Sequence, residues 1–139
     1  MTIVSPIRIV LADDHDLMRS TIEEILSQKK HLQLVASCTN GEEAIEQTLL
    51  LQPHLLLIDV VMKPVNGLEV AKKIRTSQPG TRIIAFSSHN NPAYATAFLA
   101  LGAYGFLTKT SIASELLTAI DAVSKGNQYI CRETKASMQ

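Results

Sequence analysis

Cysteine and aromatic residues are scarce in this sequence. Its 139 residues include no tryptophan, three tyrosines, three phenylalanines and two cysteines. The cysteines, Cys38 and Cys131, lack the spacing of a metal-binding motif and are too few for a disulfide framework. Cys38 lies in an apolar segment that is typical of a strand. We therefore expect it to be a small buried side chain in a protein that is kept in a reducing compartment.

An excess of either charge is also absent, because 13 basic residues balance 13 acidic ones. A protein that binds the phosphates of nucleic acid would carry a basic excess, so we expect no direct nucleic-acid binding by this segment. Long hydrophobic runs are missing too, and runs such as those at 55–58 and 60–62 are far too short to cross a bilayer. Since no signal peptide is visible, the sequence favours a cytoplasmic protein that does not associate with membranes.

What the sequence does contain is a fivefold alternation of short apolar strands with helical patterns. This alternation predicts an α/β fold, a doubly wound five-stranded parallel sheet with helices on both faces. We expect one domain over residues 1–130, with 131–139 as a polar tail or the start of a linker. The predicted strands are 7–12, 32–38, 55–58, 82–86 and 104–107, and the helices lie at about 16–29, 42–52, 68–77, 93–101 and 111–125.

Polar residues stand at the carboxyl ends of four predicted strands. Asp13 and Asp14 follow the first strand, Asp59 the third, Ser87 the fourth and Lys109 the fifth. Because ligands of open parallel sheets bind at the carboxyl ends of the strands, these side chains are expected to share one crevice. The sequence therefore predicts a site with three carboxylates, a hydroxyl and an ammonium group.

This set of groups is suited to phosphoryl transfer. Three neighbouring carboxylates are costly to keep ionised unless a cation joins them. Mg²⁺ binds a few carboxylates together with waters and phosphate oxygens, and Mn²⁺ is an alternative. One carboxylate can then attack phosphorus, while Lys109 and Ser87 bind the phosphoryl oxygens.

Several short segments also match a known pattern, in order along the chain: 9–15 (IVLADDH), 40–44 (NGEEA), 53–59, Met62, Gly67, 87–89 (SSH) and 102–109 (GAYGFLTK). With them the sequence resembles the receiver domains of bacterial two-component response regulators, most closely those that precede a helix-turn-helix DNA-binding domain. The resemblance implies a flavodoxin-like (βα)5 fold with strand order 2-1-3-4-5. It also implies a cytoplasmic signalling protein that is phosphorylated by a sensor histidine kinase or phosphotransfer protein, forms a homodimer when phosphorylated and regulates transcription.

The resemblance implies a role for each residue of the predicted site. Asp59 is similar to the phospho-acceptor of the family. Asp14 matches the carboxylate that binds the metal directly, and Asp13 matches its partner, which often acts through water. The backbone carbonyl of Val61 matches the third protein ligand, and Lys109 matches the phosphate-binding lysine. Such a domain is a phospho-acceptor rather than an enzyme.

The resemblance also implies roles for several other residues, some of which have an ordinary structural explanation as well. Ser87 matches the switch hydroxyl, and Phe106 stands where the family has a rotating aromatic side chain, although a core position accounts for Phe106 equally well. His89 matches a position that tunes dephosphorylation. Both His89 and His15, which flank the crevice, can also be ordinary loop histidines. Lys63 departs from the family, which usually has proline there, and this change alters the surface that a kinase would meet.

Three other functions make different demands on the sequence. A receiver that acts without phosphorylation, through protein–protein interaction alone, would be expected to lack one of Asp14, Asp59 or Lys109, and all three are present. A stand-alone receiver that is phosphorylated remains an alternative. An aspartate-nucleophile phosphatase would carry a second aspartate where this chain has Val61. A flavin-binding protein would have a phosphate loop after the first strand, but residues 13–16 read DDHD and would repel phosphate without a metal.

Overall fold

The computed structural model describes residues 5–138, in which strands and helices alternate. The strands are β1 (Ile7–Ala12), β2 (Leu32–Cys38), β3 (Leu55–Asp59), β4 (Arg82–Ser87), β5 (Gly105–Thr108) and β6 (Tyr129–Ile130). The helices are α1 (Asp16–Ser27), α2 (Gly41–Leu51), α3 (Gly67–Ser77), α4 (Pro92–Ala100), α5 (Ile112–Ser124) and α6 (Arg132–Ser137), with a 3₁₀ turn at Lys109–Ser111. No helix in this part of the chain is long and apolar enough to span a membrane.

The sheet is parallel throughout, in the order β2-β1-β3-β4-β5-β6. The predicted parallel α/β architecture and the order 2-1-3-4-5 are confirmed, but the prediction of five strands is wrong. A sixth strand pairs with β5, with Tyr129 opposite Gly105 and Ile130 opposite Phe106. Two residues are too few to show a strand period in a sequence, so this strand becomes recognisable only through its backbone pairing.

The core has two halves, one on each face of the sheet. Successive residues of a strand point to opposite faces, so Val10 and Ala12 of β1 pack into one half while Ile9 and Leu11 pack into the other. Helices α2, α3 and α4 cover the first half, and α1 and α5 cover the second. This arrangement explains why the central strands are apolar on both faces.

Asparagine side chains cap the N-termini of three helices that follow the strand ends. Asn40 accepts a hydrogen bond from the backbone N of Glu43, and Asn66 accepts one from Glu69. Asn91 caps α4 in the same way, and Pro92 follows it in the first turn. These caps satisfy backbone donors that a helix leaves free, and they fix where each helix leaves the edge of the sheet.

The segment 131–139, expected from the sequence to be a polar tail or a linker, contains helix α6 beside α4. Thr134 is fully buried, and its hydroxyl donates a hydrogen bond to the side chain of Asn90 at 2.9 Å. The carboxylate of Glu133 accepts a hydrogen bond from Thr108. Helix α6 is therefore attached to the loop after β4 and to the end of β5.

Candidate functional site

The carboxyl ends of β1, β3 and β5 bring together the charged residues that the sequence indicated. Asp13 directly follows β1, Asp59 ends β3 and Lys109 directly follows β5. Nζ of Lys109 lies 3.1 Å from Oδ2 of Asp59 and 3.4 Å from Oδ2 of Asp13. Because β1 and β3 are adjacent and parallel, their final carboxylates lie side by side, and one lysine from β5 reaches both.

The Asp59 carboxylate is almost completely enclosed, with 2% of its side chain exposed. Oδ1 of Asp59 accepts a hydrogen bond from the backbone N of Val61 at 3.2 Å, which holds the next loop close to the carboxylate. Burial, together with the adjacent Asp13, raises the pKa of Asp59 to about 6, although Lys109 opposes both effects. A cation beside Asp59 would favour its ionised, nucleophilic form.

The donor atoms of Asp13, Asp14, His15 and Asp59 fit a divalent cation. Each residue offers one ligand atom, and these atoms lie within 4.8 Å of one another. Oδ2 of Asp13 is buried and accepts no hydrogen bond from residues 5–138. Its contact with Nζ of Lys109 at 3.4 Å is an ion pair without a hydrogen bond. A buried carboxylate oxygen without a hydrogen bond is costly, and a cation would give it a further favourable partner. The side chain of Asp14 is 34% exposed, so the group remains open to solvent.

Of the residues predicted to act as a switch, Ser87 ends β4 and Phe106 lies within β5. Ser87 is buried, and its Oγ accepts a hydrogen bond from the backbone N of His89 at 3.1 Å. The side chain of Phe106 is fully buried in the core half that also contains Phe98. The structure thus shows Phe106 pointing inward, and His89 contacts Ser87 through its backbone.

His15 lies closer to the site than the sequence indicates. Its Nδ1 is 3.2 Å from a carboxylate oxygen of Asp13, 3.2 Å from one of Asp14 and 2.9 Å from Nζ of Lys109. From the sequence, His15 was expected only to flank the crevice. Its position directly after two metal-binding candidates is the one signal that could have indicated this contact.

The match to a family model covers the site and most of the fold. The response regulator receiver domain model matches residues 9–121, a range that contains the whole charged cluster. The chain therefore belongs to the response regulator receiver domain family.

Individual relatives agree with this assignment. The chain is 36% identical over 124 residues to the response regulator GacA of Pseudomonas protegens, covering 89% of this chain and 58% of GacA. It is 34% identical over 124 residues to the transcriptional regulatory protein DegU of Brevibacillus brevis, covering 89% and 52%. A LuxR-family two-component response regulator from Aurantimonas sp. SI85-9A1 is similar in structure, with a TM-score of 0.90 and 27% identity. The superposition covers 95% of this chain and 94% of that one. The chain thus spans little more than half the length of GacA and DegU.

Proposed function

We propose that this receiver domain accepts a phosphoryl group on Asp59 from a sensor histidine kinase or a phosphotransfer protein. The observation that carries the proposal is the 3.1 Å contact between Asp59 and Lys109 within an enclosed acidic cluster. An oxygen of Asp59 forms a bond to phosphorus, and the bond between phosphorus and the imidazole nitrogen of the donor breaks. The electron pair of that bond stays on the imidazole, which takes a proton from solvent. The domain is then a phospho-acceptor and not an enzyme with a separate substrate.

Lys109 and Ser87 are placed to bind the oxygens of the transferred group. The side chain of Lys109 is 12% exposed, so its charge is only weakly screened where the phosphoryl group would arrive. Oγ of Ser87 accepts a hydrogen bond from His89 but donates none within residues 5–138, which leaves its proton available. We propose Ser87 and Phe106 as the switch pair, and His89 as a residue that modulates dephosphorylation from the rim of the site.

Mg²⁺, or Mn²⁺ in its place, is the cation proposed for the acidic cluster. Asp14 and Asp59 would bind it directly, Val61 would contribute its backbone carbonyl, and Asp13 would act through water. The ion supplies positive charge that offsets the charge of the phosphoryl group as it approaches the carboxylates. The buried Oδ2 of Asp13, which accepts no hydrogen bond from the described residues and pairs with Lys109 at 3.4 Å, supports this assignment.

The test is intact-protein mass spectrometry after incubation with acetyl phosphate and Mg²⁺. The parent protein should gain one phosphoryl group, and Asp59→Asn should gain none. Asp16→Asn is a matched control, because Asp16 is exposed and pairs with Arg19 outside the cluster. A phosphoryl gain that persists in Asp59→Asn would overturn the proposal, as would a gain that is unchanged when the metal is removed with a chelator.

The output of the domain is proposed from its relatives. DegU carries the name of a transcriptional regulatory protein, and this chain spans 52% of it. We propose that the phosphorylated domain forms a homodimer in the cytoplasm and regulates transcription through a DNA-binding region that lies outside the receiver fold. Size-exclusion chromatography with and without beryllofluoride and Mg²⁺ tests the dimer, and an unchanged monomer would contradict it.

A further inference from the structure

The imidazole of His15 is held against the acidic cluster by its own backbone. The backbone N of His15 donates a hydrogen bond to Oδ1 of Asp13 at 2.9 Å, and its carbonyl accepts one from the N of Arg19 at 3.0 Å. These two bonds fix the residue at the start of α1, with its ring beside the carboxylates. The backbone of His15 is thus part of the built site, and its ring, in a side chain that is 62% exposed, lies at the open side of the cluster.

Nδ1 of His15 has neighbours of both charges at short range. It lies 3.2 Å from Oδ1 of Asp13, 3.2 Å from Oδ1 of Asp14, 3.5 Å from Oδ2 of Asp59 and 2.9 Å from Nζ of Lys109. A lone pair on Nδ1 would suit the ammonium group but face three carboxylate oxygens. A proton on Nδ1 would suit the carboxylates but face the ammonium group. Neither tautomer of the ring satisfies all four neighbours.

A metal ion among the same atoms would make the contacts with the carboxylates and the imidazole favourable together. Adjacent ligands of an octahedral ion with bonds of about 2.1 Å stand ~3.0 Å apart. Nδ1 lies 3.2 Å from Oδ1 of Asp14 and 3.5 Å from Oδ2 of Asp59, the two proposed direct ligands, and both separations are close to this spacing. Oδ2 of Asp13 is buried, accepts no hydrogen bond from the described residues and pairs with Lys109 at 3.4 Å, so a cation in the cluster would add a favourable contact there.

We propose that Nδ1 of His15 is a further ligand of the cation and sets its identity. The proposal rests on the metal-assisted function proposed above and deepens it. Imidazole nitrogen is a good ligand for divalent transition-metal ions such as Co²⁺, Ni²⁺ and Zn²⁺, whereas Mg²⁺ prefers oxygen. A site in which His15 joins Asp14 and Asp59 therefore selects a transition-metal ion over Mg²⁺ more strongly than carboxylates alone would.

The test compares the binding of Co²⁺ and Mg²⁺ to the untagged protein by calorimetry. His15→Ala should weaken Co²⁺ binding by about tenfold or more, because losing a ligand costs at least as much as losing a residue that orients one. Mg²⁺ binding should change far less. His31→Ala is the matched control, since His31 is an exposed histidine remote from the cluster. Visible absorption of bound Co²⁺ provides a second readout, and its bands should shift in His15→Ala and stay unchanged in His31→Ala.

The possible results separate this proposal from the one on which it rests. Equal effects of His15→Ala on Co²⁺ and Mg²⁺, or no effect on either, would overturn the role of His15 even if Asp59 is still phosphorylated. Loss of both ions in Asp14→Asn supports the location of the site. A parent protein that binds neither ion would overturn both the metal site and the role of His15.

Discussion

The carboxylate of Glu133 on α6 accepts a hydrogen bond from the hydroxyl of Thr108, the residue directly before Lys109. A second hydrogen bond reaches Glu133 from Thr110, directly after the lysine, at 2.9 Å. Lys109 thus lies between two residues that are both attached to the C-terminal helix. Any shift of Lys109 toward a phosphoryl group has to be accommodated by these bonds, which connects the site to α6.

Replacing Thr134 with valine should loosen α6. The Thr134 hydroxyl donates to Asn90 at 2.9 Å and accepts a hydrogen bond from the thiol of Cys131 at 3.2 Å, and valine keeps the shape but loses both bonds. The free energy needed to detach α6 should fall by about 1 kcal/mol, which raises the exposed population of Cys131 roughly fivefold. The rate at which a thiol reagent labels Cys131, followed by peptide mass spectrometry, measures this change.

Cys38 serves as an internal control in the same experiment. It is fully buried at the end of β2, and burial raises the pKa of its thiol to about 12, so it should stay unlabelled in both proteins. Thr76→Val is the matched variant, because Thr76 is exposed on α3 and bonds only within its own helix. Identical labelling rates of Cys131 in the parent and Thr134→Val would contradict the attachment of α6 through Thr134.

The attachment of α6 should also weaken in acid. Hydrogen bonds from Thr108 and Thr110 lower the pKa of Glu133 in the folded protein. A carboxyl group whose pKa is lower in the folded state than in the unfolded state contributes to stability. This contribution is fully present above the pKa of the unfolded state and is lost as the pH falls through the pKa of the folded state. Amide exchange in α6, corrected for intrinsic rates, should therefore speed up as the pH falls below about 4.3. Glu133→Gln should lack this dependence, and equal pH profiles in the two proteins would refute the assignment.

Gly67 at the start of α3 should not tolerate a side chain. A Cβ at this position would lie 2.3 Å from the backbone oxygen of Asp59 and 2.9 Å from Cα of Val60. Gly67→Ala must therefore displace the end of β3, at a cost of about 1–3 kcal/mol, and should slow phosphorylation of Asp59. Urea unfolding measures the stability change. Gly80→Ala is the control, because a Cβ there meets no atom within 4 Å, and equal losses in both variants would show that close approach at Gly67 is not the cause.

The sequence was sufficient to predict the parallel sheet and the place where the charged residues meet. Each of Asp13, Asp59 and Lys109 follows an apolar strand, and parallel strands end at one edge, so the topology alone implies their convergence. Strand order and strand ends therefore needed no knowledge of side-chain contacts.

The C-terminal region could not be predicted in the same way. Strand β6 has two residues, which is too short for a periodic pattern, and α6 is a polar segment with one fully buried threonine, Thr134. Thr134 contacts Asn90, which lies 44 residues earlier in the sequence. Glu133 contacts Thr108, which lies 25 residues earlier. Contacts at such distances depend on how the completed fold arranges its surface.

The last prediction concerns the response of α6 to a phosphoryl mimic. Beryllofluoride with Mg²⁺ should shift the amide resonances of residues 132–137 as well as those around Asp59. The expected cause is movement of Ser87 and Lys109 toward the mimic, since Asn90 on the loop after Ser87 and Thr108 beside Lys109 are both bonded to α6. Two-dimensional amide NMR on the uniformly labelled protein measures these shifts.

The triple variant Glu133→Ala, Thr134→Val, Ser137→Ala separates transmission from binding of the mimic. It lacks the side-chain groups of α6 that bond to Thr108, Thr110 and Asn90, but it leaves the acidic cluster intact. Shifts around Asp59 should therefore remain, while those at 132–137 should become much smaller. Shifts confined to the loops at the strand ends of the parent protein would show that α6 is a passive cover rather than a responsive element.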